Sequence, residues 1–171
     1  MKVLIVYATR TGSAAKAAEL LAGYFSDVRV SNLENENPDP DGYDVVIFGS
    51  GIRFGKILPP LERWLDQYWD KVRPMSKGVY ICNALIDEAP KILRDNFSLQ
   101  LRNSSIIVES LGGEFDPEKL SQKDRLMLKL KKKELLGKQI RSFVPCLLTD
   151  RIEAFAGEIK DAVREKNILK I

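Results

Sequence analysis

Residues 2–8 read KVLIVYA, an unbroken apolar and β-branched run of the kind found in strands covered on both faces. Thr9–Ser13 interrupts it, and from Ala14 to Phe25 small or apolar residues recur at Ala14, Ala17, Ala18, Leu21 and Phe25, the three-and-four spacing of a helix. A short strand is expected around Val28–Val30, then an acidic, turn-rich stretch from Asn32 to Gly42, then a second buried strand over Tyr43–Gly49. Pro59 and Pro60 suit the first turn of a helix whose apolar face is Leu61, Trp64, Leu65 and Tyr68.

Lys77–Asn83 is another buried-type strand. Ala89–Leu101 is expected to form one amphipathic helix through Ile92, Leu93, Phe97 and Leu101, and Ser105–Leu111 completes the series. Five strands alternating with helices predict an α/β doubly wound parallel sheet with crossover helices on both faces. After Gly112 and Gly113 the rhythm breaks. Pro117–Arg141 is long, helix-prone and charged, Phe143–Thr149 resumes a strand-like pattern, and Asp150 is placed to cap a last helix with Ile152, Phe155, Ile159 and Val163 inward. Residues 1–171 are therefore expected to be a single domain with an insertion at about 112–143.

Composition narrows the chemistry. The 171 residues include no histidine, which removes histidine triads, histidine metal sites and the commonest general base. Cys82 and Cys146 have neither disulfide-framework nor zinc spacing, and no apolar run approaches the roughly 20 residues that span a bilayer. A reducing, cytoplasmic setting is expected. Net charge is only +3, yet residues 118–141 alone carry nine basic and three acidic side chains, leaving the remainder at −3. Leu120, Met127, Leu128, Leu130 and Leu135 fall on one arc of this segment. Lys123, Arg125, Lys129, Lys131, Lys132 and Lys133 thus form a candidate surface for an anionic membrane or an acidic partner, or a solvated helix face. No stacking aromatics interleave these lysines, so nucleic acid is not expected as a partner.

In a doubly wound sheet, ligands bind beyond the carboxyl ends of the strands. The loop after the first strand, Thr9-Arg10-Thr11-Gly12-Ser13-Ala14, offers hydroxyls and free backbone N–H groups at a helix N-terminus, a setting for phosphate. The loop after the third strand, Ser50-Gly51-Ile52-Arg53-Phe54-Gly55, with Gly49 before it, imitates a dinucleotide fingerprint but follows the wrong strand. It is better suited to lie against a flat ring.

The Thr9–Ser13 string resembles the FMN phosphate loop of the flavodoxin superfamily, with Ala14 where a final threonine is usual and Arg10 or Ser13 available to compensate. The Gly-Ser-Gly-Ile-Arg-Phe-Gly string is more specific. It resembles the FMN-containing, menaquinone-dependent protoporphyrinogen dehydrogenases, as do Asn83-Ala84-Leu85 after the fourth strand, residues 124–130 in the insertion and Thr149-Asp150. The resemblance implies a flavodoxin-like sheet of order 2-1-3-4-5. It also implies FMN held by the three loops, a quinone or redox-protein electron acceptor, and a small organic donor such as a porphyrinogen. Peripheral membrane contact through residues 118–141 goes with a quinone acceptor. No side chain is nominated as catalytic, because the flavin does the chemistry. A flavodoxin-like electron carrier without its own organic substrate is the alternative. Two features favour an enzyme: Asn83–Asp87 carries no stacking aromatic, and the insertion is basic.

Overall fold

The computed structural model describes residues 1–114, 121–123, 126 and 146–169. Five parallel strands, β1 (Lys2–Ala8), β2 (Asp27–Asn32), β3 (Val45–Arg53), β5 (Ser76–Cys82) and β6 (Ile107–Ser110), lie in the order β2-β1-β3-β5-β6. This is the expected 2-1-3-4-5 order once a two-residue strand, β4 (Lys56–Ile57), is recognised as an antiparallel partner of β3.

Alternation within the apolar runs explains the two layers. Val3, Ile5, Val45, Ile47, Tyr80 and Cys82 face α1 (Ser13–Ala22) and the C-terminal helix α5 (Thr149–Ile168). Leu4, Val6, Val46, Phe48, Val79 and Ile81 face α2 (Pro59–Val72), α3 (Ala89–Asn96) and α4 (Leu99–Ser104). Because both faces are covered, the central strands carry apolar residues at consecutive positions rather than at every second one.

The structure departs from the pattern at identifiable places. α1 ends at Ala22, where Gly23 closes the last turn through Glu19 and Leu21 carbonyls, not at Phe25. The helix expected over Ala89–Leu101 is two helices: Phe97 is extended and the hydroxyl of Ser98 accepts from Leu101 N–H, capping a new start. Asp150 is not the cap of α5. Leu148 occupies that position without a side-chain bond, and Asp150 lies in the first turn, where its charge suits the helix dipole. Of the strand expected over Phe143–Thr149, residues 143–145 lie outside the described residues, Leu147 makes an isolated antiparallel bridge to Gly112, and Thr149 is already helical. Arg125, Lys129, Lys131, Lys132 and Lys133 also lie outside them, while Lys123 is exposed.

Lys77 is the unexpected core residue. It is 1 % exposed, and its ammonium donates to the carbonyls of Arg73 and Met75 just past the end of α2, so the charge is spent on a helix C-terminus. Burial, and then Lys166 nearby, pushes its pKa below the ordinary lysine value.

Candidate functional site

The strand register puts the predicted loops together. Ala8 is level with Ser50, and Ser50 with Ile81, so the loops after β1 and β5 leave the sheet at one edge. β3 continues past that edge and turns back as β4, which is why a loop expected to begin at Ser50 is instead the end of a strand and a hairpin.

After β1, Gly12 adopts φ 98°, a left-handed conformation that favours glycine, and donates its N–H to Thr9 Oγ1 at 3.0 Å. Thr9 therefore accepts from the loop and retains its hydroxyl proton for another partner. Gly12 also sits at the N-cap of α1. No side chain caps this helix, and its first turn holds no acidic residue. Thr9 and Thr11 are half-buried and Arg10 is exposed. Ser13 and Ala14 do not present side chains to this opening. The Ser13 hydroxyl donates to Glu114 carbonyl at 3.2 Å and accepts from Glu114 N–H at 3.1 Å, and Ala14 is fully buried. The Glu114 carboxylate pairs with Lys16 on α1.

Tyr80 braces this loop from inside. Its hydroxyl donates to the Ala14 carbonyl at 2.8 Å, and its ring fills the space where a side chain on Gly49 would stand. Complete burial holds the phenol pKa well above its usual value. A tyrosine beside a glycine in the neighbouring strand is a legible signal that the apolar pattern alone passes over.

The β3–β4 hairpin has a two-residue turn, Phe54 (φ 52°) and Gly55 (φ 78°), between paired Arg53 and Lys56. Positive φ at both positions marks a type I′ turn. For Phe54, a non-glycine residue there, it costs about 1–2 kcal/mol. The ring is nevertheless 41 % exposed, with the Arg53 guanidinium 4.9 Å from its centroid. Asn96 of α3 fastens the hairpin: its Oδ1 accepts from Ile57 N–H at 3.1 Å, and its Nδ2 donates to the Gly55 and Ile92 carbonyls, each at 2.8 Å. The Ser50 side chain is wholly buried, its hydroxyl donating to Gly51 carbonyl and accepting from Leu58 N–H at 2.9 Å. Gly51 pairs with Cys82 across the sheet, and Ile52 packs on the second core. Nothing local in the sequence marks Asn96, which acts across 39 and 41 residues.

The third loop is fixed by Asn83. Its Oδ1 accepts from Ser110 Oγ at 2.6 Å and its Nδ2 donates to the Leu85 carbonyl, while Ala84 and Leu85 are half-buried. Gly113 lies so close that a β-carbon there would stand 3.0 Å from Asn83 backbone atoms. Cys82, just before this loop, has its thiol pushed far up by burial and is a core residue, not a reactive one. A cleft between residues 33–37 and α2 is lined by none of the expected site residues. Among the described residues there is no cluster of three metal-ligating side chains, and no helix is long and apolar enough to cross a membrane.

The profile of the flavodoxin domain matches residues 4–142. The chain belongs to the flavodoxin family. This flavodoxin-family chain is 26 % identical over 96 residues to the protoporphyrinogen IX dehydrogenase [quinone] of Escherichia coli K12. The match covers 53 % of each chain, so it spans about half the length of the curated relatives it matches. Among solved structures, a Fusobacterium nucleatum flavodoxin bound to flavin mononucleotide superposes at a TM-score of 0.54 with 12 % identity, covering 95 % of this chain and 99 % of that one. The flavodiiron core of Flv1 from Synechocystis sp. PCC6803 also gives 0.54, with 15 % identity over 97 % of this chain and 36 % of the other. These two likenesses concern the fold.

Proposed function

We propose that this flavodoxin-family protein binds FMN at the shared edge of β1, β3 and β5 and acts as a quinone-linked dehydrogenase, with a porphyrinogen as donor. The observation that carries the cofactor assignment is the first turn of α1. It opens from a left-handed glycine, has no side-chain cap and no acidic residue, and is flanked by Thr9 and Thr11. Such a turn accommodates a dianionic phosphate through backbone N–H groups and the helix dipole. Thr9 and Thr11 would add hydroxyl donors, and Arg10 stands at the rim. The ring would lie between the hairpin, at Ile52–Gly55, and the Asn83–Leu85 loop. Bound there, FMN would supply the two-electron acceptor for the organic donor and pass those electrons to the quinone.

The protein's own groups would orient and tune. With no aromatic on the Asn83–Leu85 loop, one ring face stays open for a planar donor. Phe54 and Arg53 would frame that face, the guanidinium being suited to carboxylates. The sequence match to a protoporphyrinogen dehydrogenase supports the donor class. The net +6 of residues 118–141 supports an anionic membrane, where a lipid quinone resides, as the place of reaction. The test is anaerobic reduction of the FMN-loaded protein, followed by a menaquinone analogue and then protoporphyrinogen. Reoxidation by quinone and re-reduction by the porphyrinogen are expected. FMN binding without reaction with either would leave an electron carrier, and absence of FMN binding would overturn the site.

A further inference from the structure

Two hydrogen bonds from one side chain converge on the hairpin that the sequence marks as ring-facing. Asn96 accepts from Ile57 N–H, which follows the turn, and donates to the carbonyl of Gly55, within it. A third bond, to Ile92 carbonyl one helical turn earlier, fixes the amide on α3. The tip needs such an anchor, because Phe54 is held at φ 52° with its ring 41 % exposed, and sparsely populated backbone persists only when its surroundings over-determine it. The other end of the hairpin is pinned separately, by Ser50 Oγ accepting from Leu58 N–H. Asn96 also terminates a helix that begins at Ala89, directly after the 3₁₀ turn Ile86–Glu88 that leaves the Asn83–Leu85 loop. α3 is thus a strut whose start adjoins one ring-facing loop and whose end holds the other.

We propose that Asn96 is a positioning residue for the flavin ring: it sets the β3–β4 turn that presents Arg53 and Phe54, and through α3 holds that turn at a fixed distance from Asn83–Leu85. The proposal rests on FMN binding as argued above. It assigns Asn96 to the ring and not to the phosphate, which separates it from a general effect on folding.

The experiment compares Asn96→Ala, Asn96→Asp and Lys91→Ala by titration with FMN and with riboflavin, together with hydrogen exchange at Ile57. Asn96→Ala removes all three bonds and is expected to weaken FMN and riboflavin by the same factor, about tenfold, and to speed Ile57 exchange. Asn96→Asp keeps an acceptor for Ile57 but sets a carboxylate against the Gly55 carbonyl. It should retain slow exchange at Ile57 while losing ring affinity as Asn96→Ala does. Lys91→Ala breaks an exposed pair with Asp95 on the same helix and should change neither ligand. Ring affinity within twofold of wild type in both Asn96 variants overturns the proposal, as does a loss confined to FMN. Wild-type protein that takes up neither ligand overturns the cofactor site itself, and a uniform loss in all three variants marks a folding defect and refutes the specific role.

Discussion

Replacing Gly49 with alanine places a β-carbon 2.0 Å from Tyr80 Cζ and 2.2 and 2.3 Å from the two adjacent ring carbons, where van der Waals contact requires about 3.5–4.0 Å. The ring has no free direction. Its hydroxyl is bonded to Ala14 carbonyl at 2.8 Å, and Phe155 meets it edge-on with centroids 6.4 Å apart. Either β3 and β5 spread, or Tyr80 retreats and abandons a buried hydroxyl. Overpacking of this kind costs about 1–3 kcal/mol, and an orphaned buried hydroxyl a further 1–3 kcal/mol. A loss of about 2–6 kcal/mol in a chain of this size lowers the melting temperature by roughly 4–24 °C. Thermal unfolding followed by circular dichroism reads it directly. Tyr80→Leu should be less harmful in the Gly49→Ala background than alone, since it removes the clashing atoms, giving a coupling energy above about 1 kcal/mol. A Gly49→Ala melt within 2 °C of wild type, or strictly additive effects, would refute the packing argument.

Thr11→Ala should weaken FMN at least tenfold, as expected for loss of a hydrogen bond to a charged group, while riboflavin affinity, measured by fluorescence quenching, stays unchanged. Arg53→Gln removes a positive charge beside the proposed ring. An interaction of about 1–2 kcal/mol predicts a two-electron midpoint lower by about 20–40 mV in an anaerobic dye titration, and an unchanged or higher potential would count against the ring's placement. Lys77 titrates below its ordinary value in the folded protein because it is buried, so the unfolded chain binds more protons between that lowered value and the usual lysine range. Its contribution to stability therefore rises with pH through that window. Urea unfolding from pH 7 to 10 should show a smaller upward slope in Lys77→Met than in wild type.

The sheet was legible because parallel strands covered on both faces advertise themselves: KVLIVYA and the runs ending at Gly49 and Cys82 admit no other partner than a second apolar layer. The loop after β1 was legible for the same reason, since its place follows from the strand before it. Legibility failed where a long-range contact decided a local conformation. Ser50 and Ser13 both read as loop hydroxyls, and nothing near them in sequence points to the partners the fold gives them, Leu58 N–H and the Glu114 backbone. The break at Phe97 depends on a serine whose capping role is hidden inside an apolar periodicity that runs through it. Asn96 carries no local pattern at all, because its partners are set by how α3 lies across the hairpin.

The chain leaves the sheet after Leu111 and returns at Leu148 through one narrow neck. Leu148 N–H donates to Leu111 carbonyl at 2.9 Å, Gly113 N–H to Cys146 carbonyl at 3.0 Å, and Gly112 bridges Leu147. Residues 111–113 and 146–148 are thereby clamped to one another. The neck therefore couples two elements: at Gly112 a β-carbon would stand 2.3 Å from the Cys146 carbonyl oxygen, so any side chain there would push the end of β6 away from the start of α5 and disturb both.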